Sequence, residues 1–203
     1  MKHEGGNIYS VFDELVPQRD KEHFLRQRAV VVWFTGLSGA GKTTIARQLE
    51  RQLLEAGYLA KVLDGDNLRA GLNRGLGFDS ESRSENIRRM AEVAKLFANS
   101  GVICLACSIS PTEAIRKQTR DILKDVTLLE VHVSTNLATC EARDPKGLYA
   151  KARSGSIDSF TGISDVYEAP QRPDLELQTS GQSIAETTNS AFRFLLPHIQ
   201  LHT

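Results

Sequence analysis

The sequence predicts an α/β fold in which a mostly parallel, five-stranded sheet lies between two layers of helices. Two features of the chain lead to this prediction. Apolar stretches suited to strands alternate with amphipathic stretches suited to helices, which is typical of a parallel sheet covered on both faces. A glycine-rich run also joins the first of these strands to the helix that follows it. With 203 residues, 40% of them hydrophobic, the chain is long enough for one well-buried core.

The first half of the expected sheet begins with an apolar strand over 30–35, followed by a helix over 42–56 that stops before Gly57. A second strand is predicted over 59–63. The next helix runs over 82–99, because Ser82 and Glu85 have the spacing of a capping box and Gly101 is a suitable terminator. Its expected core residues are Ile87, Met90, Ala91, Ala94 and Phe97.

The second half continues the alternation along the chain. An apolar strand at 102–109, a helix at 112–123, a strand at 127–133, a helix at 136–142, a short strand at 174–178 and a helix from about 182 complete the pattern. Residues 144–173 interrupt it, since they carry basic, glycine and proline residues without core periodicity. Loops of this length in compact domains are usually functional or disordered, and we interpret 144–173 as a mobile lid.

Residues 1–28 are polar and mixed in charge, and we interpret them as an N-terminal extension of a domain that covers 29–203. The apolar residues of this extension are expected to dock as a short helix; they are Ile8, Tyr9, Phe12 and Leu15. Nothing in the extension suggests chemistry.

Charge and hydropathy limit the classes of partner. Lysine plus arginine and aspartate plus glutamate both total 25, so the chain has no overall basic field for nucleic acid or a membrane surface. No run approaches the roughly 20 apolar residues of a membrane span. The N-terminus lacks the basic-then-apolar order of a signal peptide. We therefore expect a cytoplasmic protein that acts on small molecules.

The three cysteines argue against a disulfide framework. Cys104 and Cys107 have a spacing also found in redox and metal sites, but they lie in a predicted strand, where residues three apart point to opposite faces. We interpret both as buried thiols. The five histidines are scattered without ligand spacing, so no metal site made by protein side chains alone is assigned.

The glycine-rich run has the pattern of a phosphate-binding loop. It consists of Gly36, Leu37, Ser38, Gly39, Ala40, Gly41, Lys42, Thr43 and Thr44. Its glycines let backbone N–H groups turn toward phosphate oxygens, and the following helix adds the positive end of its dipole. Lys42 brings a positive charge to the outer phosphates and Thr43 a hydroxyl for Mg²⁺. The pattern predicts a nucleoside triphosphate site of the P-loop NTPase type; the alternative is a glycine-rich turn without a ligand.

Two carboxylates, Asp64 and Asp66, follow the second strand, and ligands of open parallel sheets bind beyond such strand ends. We expect both to share the crevice with the loop. In phosphoryl transfer a carboxylate can position Mg²⁺ or accept the proton of the attacking hydroxyl. An aspartate at this point can also be only a helix cap.

An arginine-rich stretch follows, with Arg69, Arg83, Arg88 and Arg89. Arg83 and Asn86 lie three residues apart on the predicted helix and project to one side. The planar fork of arginine suits phosphate or sulfate oxygens. The alternative for each arginine taken singly is a solvated helix face.

Several motifs, taken in order, resemble those of the adenylylsulfate kinase family and span about residues 30–179. Besides the phosphate-binding loop, they are Asp64–Arg69, Gly75–Phe78, Arg83–Arg89, Ile109–Pro111, Arg143–Tyr149 and Phe160–Gly162. The loop alone is shared by many NTPases, but the other motifs in this order are specific to the family. The resemblance implies transfer of the γ-phosphoryl group of MgATP to the 3′-hydroxyl of adenosine 5′-phosphosulfate, giving 3′-phosphoadenosine 5′-phosphosulfate and ADP. It also implies ATP and Mg²⁺ as cofactors and a homodimer.

The resemblance assigns roles to individual residues. The catalytic residues are Lys42, Asp64, Asp66 and Ser110, with Asp66 as candidate general base and Asp64, beside Thr43, as the residue that tunes the water shell of the metal. The whole loop, Arg143 and Lys146 hold ATP. The acceptor is bound by Asp66, Asn67, Arg69, Phe78, Arg83, Asn86, Ile109, Ser110, Lys146, Gly147, Leu148, Phe160 and Thr161.

Four of these roles have a physical argument beside the resemblance. Phe78 and Phe160 match aromatics that enclose the adenine of the acceptor, and stacking explains lone aromatics beside glycines; a buried loop anchor is the alternative for Phe78. Ser110 matches a serine described as a phosphoserine intermediate, but a kinase that places donor and acceptor in line needs no covalent step, so we favour a substrate-binding Ser110. Lys146 is expected to reach phosphates when the lid closes and excludes water.

The chain departs from the family pattern at two points. After Ile109–Pro111 the family commonly has an aromatic residue and an arginine, whereas this chain has Thr112 and Glu113; Arg116 matches the next expected arginine. If Glu113 touched an anionic substrate, affinity would fall or the acceptor would differ. In the first turn of a helix an acid is favourable, and we favour this interpretation. Val166 replaces a common proline, which affects only the expected stiffness of the lid.

Two other functions remain as alternatives. A P-loop kinase for another hydroxylated acceptor, such as a nucleoside, would keep Lys42 and the carboxylates but gives no reason for the motifs of Phe78 and Phe160. A non-catalytic ATP- or phosphosulfate-binding subunit that associates with ATP sulfurylase would explain Glu113 as a mark of decay. The intact Lys42, Asp64 and Asp66 argue against decay.

Overall fold

The computed structural model describes Tyr9, Val11 and residues 14–201. The strands within these residues are β1 Val31–Thr35, β2 Ala60–Asp64, β3 Ile103–Cys107, β4 Leu128–Val133 and β5 Leu175–Leu177. They form one five-stranded sheet in the order β2-β3-β1-β4-β5, and every pairing is parallel. In the central strand β1, Val32 lies opposite Leu105 of β3 and Leu129 of β4. The predicted fold class is confirmed.

Helices cover both faces of the sheet. In the described part of the chain they are α1 Gln18–Leu25, α2 Lys42–Glu55, α3 Gly65–Ala70, α4 Ser80–Asn99, α5 Glu113–Ile122, α6 Leu137–Arg143, α7 Leu148–Arg153 and α8 Ile184–Ile199. Alternate residues of β1 enter two separate cores: Val32 packs in the core that includes Leu49 of α2 and Leu195 of α8, and Trp33 packs in the core that includes Met90 of α4. This alternation produces the three-layer arrangement that the sequence pattern predicted.

Every strand and helix predicted over 29–203 is present, with its ends shifted by two residues or fewer. The capping box predicted at Ser82 and Glu85 is wrong. Asp79 caps α4 instead, since its carboxylate accepts the Ser82 N–H at 2.9 Å. Glu85 turns away to Arg88, whose charged fork is a stronger partner than a backbone N–H.

Three short helices were not predicted as helices. In α1, Lys21 donates to the Asn99 oxygen at 3.1 Å and so fastens this helix to the end of α4. Two of the apolar residues expected to dock, Ile8 and Phe12, lie outside the described residues. Tyr9 and Leu15 are exposed, so their predicted docking is wrong.

The other two unpredicted helices lie near the carboxyl edge of the sheet. The helix α3 begins directly after β2, and α7 lies inside the segment 144–173, which we call the lid segment. This segment does contribute to the core, because Tyr149 and Phe160 are buried. A six-residue helix is too short to show the periodicity on which the prediction depended. The mobility of the lid segment stays a prediction.

The two neighbouring cysteines point to opposite faces of β3, as predicted. Cys104 belongs to the core under α4 and Cys107 to the core under α2. All three cysteines are buried and free, and burial raises the pKa of Cys104 to about 12. Among the described residues, no helix combines the length and the apolar character needed to cross a membrane.

Candidate active site

The glycine-rich loop connects the end of β1 to the start of α2, and its backbone explains why glycine recurs. Gly36, Gly39 and Gly41 have φ angles of 146°, 73° and 109°, which residues with a Cβ rarely adopt. At Gly36 a Cβ would also lie 2.6 Å from the carbonyl oxygen of Val133. Both conformation and space therefore require glycine at the start of the loop.

Side chains from distant parts of the chain hold the carbonyl oxygens of this loop. The Tyr149 hydroxyl donates to the Ser38 oxygen at 2.9 Å. The hydroxyls of Thr135 and Thr179 donate to the Ala40 oxygen at 2.9 and 3.1 Å. The C=O and N–H of a trans peptide unit point in opposite directions, so these bonds turn the N–H groups that follow toward the other side of the loop. Such converging N–H groups form an anion site.

Lys42, the first residue of α2, is buried beside the loop. Its ammonium donates to the carbonyl oxygens of Gly36 and Leu37, each at 2.8 Å. Burial removes hydration from the charged form and lowers the pKa of Lys42 to about 8. A phosphate bound in the loop would favour the ammonium again, so the charge on Lys42 is sensitive to the ligand.

Thr43 and Asp64 link the loop to the end of β2. The Thr43 hydroxyl donates to Asp64 Oδ2 at 2.7 Å. The other carboxylate oxygen accepts the N–H groups of Asp66 and Asn67 at 3.1 and 3.3 Å, so Asp64 also caps α3, as the alternative interpretation proposed. A hydroxyl and a carboxylate are hard oxygen donors, and Mg²⁺ usually takes one or two such protein ligands with several waters. The pair therefore fits the expected ion.

Asp66 lies in the first turn of α3 on the open side of the crevice, beside the exposed Asn67. Its side chain is 64% exposed, and its carboxylate forms a salt bridge with Lys146 of the lid segment. The predicted base and the predicted lid lysine are thus brought together across the crevice, although 80 residues separate them in the chain.

The predicted acceptor residues after α3 form a partly open surface. The Arg69 guanidinium lies 4.5 Å from the centre of the Phe78 ring and donates to the Gly77 oxygen at 2.7 Å. Phe78 is 63% exposed. The alternative interpretation of Phe78 as a buried loop anchor is therefore wrong, and most of this side chain is exposed beside Arg69.

Arg83 connects α4 to the lid segment. It donates to Asp165 at 2.9 Å, to the Thr161 hydroxyl at 3.1 Å and to the Ser159 oxygen at 2.7 Å. Asn86, one helical turn later, is buried and accepts from Asn73 at 2.9 Å. Arg83 therefore holds the segment that carries the predicted adenine-binding Phe160.

Arg88 and Arg89 do not reach this site. Both donate to Glu85 of their own helix, at 2.7 and 2.6 Å. For these two arginines the solvated helix face is the correct interpretation.

Ser110 follows β3 in a left-handed conformation, with a φ angle of 44°. Its hydroxyl is buried and accepts from the Trp33 indole N–H at 2.8 Å, while its carbonyl accepts from Arg116 at 3.0 Å. The neighbouring Ile109 oxygen accepts from the Thr35 hydroxyl at 2.7 Å. Contacts to β1 and α5 therefore hold Ser110 and its neighbour Ile109, with Ser110 in a conformation that is costly for a residue with a side chain.

Glu113 lies in the first turn of α5 and pairs with Arg116 and Arg120 of the same helix. Its N–H donates to the Glu168 carboxylate at 2.7 Å. Hydrogen bonds from both arginines lower the pKa of Glu113 and outweigh the opposing effect of desolvation. The helix-turn interpretation of Glu113 agrees with these contacts.

The remaining predicted residues lie around the loop. Arg143 donates to the Thr179 hydroxyl at 2.8 Å and to its carbonyl at 3.0 Å, and it also donates to the Gly39 and Ala40 carbonyl oxygens at 3.4 Å. Gly147 caps α7 with a φ angle of 64°, and Leu148 is its first residue. The Phe160 ring meets the Tyr149 ring edge-on at 4.9 Å.

Several residues of this site were not predicted: Trp33, Thr135, Tyr149, Asp165, Glu168 and Thr179. Tyr149 ends the family motif Arg143–Tyr149, but the neighbouring residues gave no reason to expect its contact with the phosphate-binding loop. The others are single polar or aromatic residues without a pattern. Their contacts depend on which strand ends and loops meet in space.

The geometry agrees with three comparisons. A sequence profile of the adenylylsulphate kinase family matches residues 28–178. The chain is 52% identical over 199 residues to an adenylyl-sulfate kinase of Bacteroides fragilis, which covers 98% of both chains. It is 51% identical over 197 residues to one of Bacteroides thetaiotaomicron, covering 97% of this chain and 98% of that one. A solved structure of the Mycobacterium tuberculosis APS kinase CysC in complex with AMPPNP and APS matches with a TM-score of 0.81 and 48% identity, covering 83% of this chain and 98% of that chain.

The parallel sheet, the phosphate-binding loop and the threonine–carboxylate pair beside it define a P-loop kinase. The profile match and the sequence identity to relatives over nearly the whole chain narrow this class of kinases to one family. The chain belongs to the adenylylsulphate kinase family.

Proposed function

We propose that this chain transfers the γ-phosphoryl group of MgATP to the 3′-hydroxyl of adenosine 5′-phosphosulfate. The products are 3′-phosphoadenosine 5′-phosphosulfate and ADP. The observation that carries the proposal is the meeting of Lys42, the Thr43–Asp64 pair and Asp66 at one edge of the sheet, next to the surface of Arg69 and Phe78. A donor site and an acceptor site are therefore adjacent.

The donor side uses the loop and the first turn of α2. The N–H groups of the loop and the Lys42 ammonium would bind the phosphates of ATP and screen the charge that develops during transfer. Thr43 and Asp64 would hold Mg²⁺, which would screen the negative charge of the phosphates during transfer. The Thr43–Asp64 hydrogen bond already holds the two candidate metal ligands, the hydroxyl oxygen and a carboxylate oxygen, 2.7 Å apart.

In the transfer step the acceptor 3′-oxygen attacks the γ-phosphorus, the bond from that phosphorus to the bridging oxygen of ADP breaks, and the 3′-hydroxyl proton passes to Asp66. The exposed carboxylate of Asp66 suits this role because a substrate can reach it. Lys146, now paired with Asp66, would move to phosphate oxygens when ATP occupies the crevice, since phosphate carries more charge than one carboxylate.

The acceptor side uses Arg69, Arg83 and the aromatic residues. Arginine forks suit the two anionic groups of the phosphosulfate. The exposed ring of Phe78 suits an adenine, and Phe160 lies in the lid segment that Arg83 holds. These contacts support an acceptor with both an adenine and a strongly anionic group.

Ser110 supports a direct transfer rather than a covalent one. Its hydroxyl is fully buried and hydrogen-bonded to Trp33, so it could accept a phosphoryl group only if the loop after β3 opened. We therefore propose that Ser110 shapes the acceptor site and is not phosphorylated.

The test of the base is Asp66→Asn. We expect turnover to fall by about 10²- to 10⁴-fold, the usual contribution of general base catalysis, while ATP still binds. The lost Asp66–Lys146 salt bridge is exposed and contributes about 1 kcal/mol at most, which is too little for such a fall. Asp121→Asn, at an exposed residue of α5, is the matched control. Wild-type turnover in Asp66→Asn would remove Asp66 as the base.

Release of ADP with adenosine 5′-phosphosulfate, with other nucleosides and without an acceptor separates the alternatives. Turnover that requires adenosine 5′-phosphosulfate supports the proposal. Turnover with a nucleoside supports another P-loop kinase, and binding without turnover supports a non-catalytic subunit. We also propose the use of Mg²⁺ and a homodimer, which the family resemblance implies, and an association with ATP sulfurylase. A cytoplasmic location is proposed from the apolar pattern and the N-terminal sequence.

A further inference from the structure

Tyr149 joins the lid segment to the phosphate-binding loop. Its ring is 1% exposed, and its hydroxyl donates to the Ser38 carbonyl at 2.9 Å, across 111 residues of sequence. Its own N–H donates to Asp144 at 3.1 Å, which fixes the start of α7. The contact therefore links the lid segment to the phosphate-binding loop through a hydrogen bond.

The ring of Tyr149 contacts the part of the lid segment that Arg83 holds. The Phe160 ring packs edge-on against it at 4.9 Å, with an angle of 80° between the rings. The next residue, Thr161, accepts from Arg83 at 3.1 Å. One side chain thus contacts the donor loop through its hydroxyl and the acceptor side through its ring.

The Ser38 carbonyl is held differently from the Ala40 carbonyl of the same loop. Ala40 is held by Thr135 and Thr179, which follow β4 and β5 and so belong to the sheet framework. Ser38 is held by a residue of the lid segment. The peptide unit between Ser38 and Gly39 therefore has its orientation set by the lid segment, and with it the direction of the Gly39 N–H.

The hydroxyl of Tyr149 can donate its hydrogen bond over a wide pH range. Burial raises its pKa well above the usual value for tyrosine, so it keeps its proton through neutral and moderately alkaline pH.

We propose that Tyr149 is a positioning residue that couples closure of the lid segment to the geometry of the phosphate-binding loop. It acts through the Ser38 carbonyl and touches no reacting atom. The expected effect of Tyr149 on turnover rests on the proposed function. Its expected effects on the loop and on nucleotide binding do not, because they require no acceptor.

The test is Tyr149→Phe, which removes the hydroxyl and keeps the ring against Phe160. The first measurement is the Kd of AMPPNP with MgCl₂ by calorimetry. Loss of one neutral hydrogen bond predicts a Kd about three- to tenfold higher. The second is hydrogen exchange of the loop amides, which should be faster at Gly39 than in the wild type. The third, with adenosine 5′-phosphosulfate present, is a rise in KM for ATP that exceeds the fall in kcat.

Tyr58→Phe is the matched control, because it makes the same chemical change at a half-buried tyrosine that follows α2, away from the loop. It should leave all three measurements unchanged. Wild-type binding of AMPPNP by Tyr149→Phe would overturn the proposal, and so would weaker binding without faster exchange in the loop. If AMPPNP binding changes as expected but no acceptor is phosphorylated by either form, the proposed function fails while the coupling stands.

Discussion

Raising the pH above 8 should weaken ATP binding, because Lys42 loses its charge. The Lys42 ammonium is buried and lies 2.8 Å from the carbonyl oxygens of Gly36 and Leu37. Burial lowers its pKa from 10.5 to about 8. In the complex the phosphates favour the ammonium and raise this pKa, so binding takes up a proton at alkaline pH.

The size of the effect follows from this shift. If the ammonium form alone binds, Kd increases in proportion to one plus the ratio of neutral to charged Lys42. With a pKa of about 8, this gives a Kd about tenfold higher at pH 9 than at pH 7, a loss of about 1.4 kcal/mol. The same titration should have the opposite effect on folding: it weakens ATP binding but raises the free energy of unfolding. The unfolded chain binds more protons than the folded chain between pH 8 and 10.5, so the Lys42 contribution makes the fold more stable as pH rises through this window.

The assay is calorimetric titration of AMPPNP with MgCl₂ between about pH 7 and 9.5, a range in which ATP phosphates are ionised and Lys42 titrates. Burial raises the pKa values of Cys107 and Tyr149, so neither group ionises in this range. Lys42→Arg is the control, since its guanidinium stays charged; it should bind more weakly but with a Kd that does not depend on pH. A flat wild-type profile would refute the assignment of Lys42 to the phosphates.

Two further predictions concern the acceptor side. Ser110→Ala should keep measurable turnover and lose affinity for adenosine 5′-phosphosulfate, because it removes the acceptor of the Trp33 hydrogen bond but no reacting atom; complete loss of turnover, together with a phosphoserine trapped in the parent protein, would contradict direct transfer. Arg83→Lys should raise the KM for adenosine 5′-phosphosulfate about tenfold or more, since lysine cannot contact Thr161, Asp165 and the Ser159 oxygen at once. Both are checked by steady-state kinetics at saturating ATP, and an unchanged KM in Arg83→Lys would contradict a role of these lid-segment contacts in binding the acceptor.

The order of strands and helices and the phosphate-binding loop could be predicted from the sequence because both depend on local rules. Apolar periodicity identifies the five strands and five of the described helices within two residues, but not α1, α3 and α7. Glycine at Gly36, Gly39 and Gly41 marks backbone angles that other residues avoid. The opposite orientations of Cys104 and Cys107 follow from the strand period in the same way.

The partners of the polar residues could not be predicted, because a single sequence does not show which chain segments meet. Arg83 and Arg88 are both arginines of α4, yet one holds the lid segment and the other pairs with Glu85. Asp64 could cap a helix or face the loop, and packing of β2 beside the loop lets it do both.

The contrast has one physical cause. Backbone conformation and burial pattern are determined by residues that are close in sequence, so they can be predicted from short stretches of the chain. Contacts such as Trp33 with Ser110 and Tyr149 with Ser38 join residues 77 and 111 positions apart. They exist only once the sheet has set which strand ends are adjacent, so no local pattern in the sequence shows them.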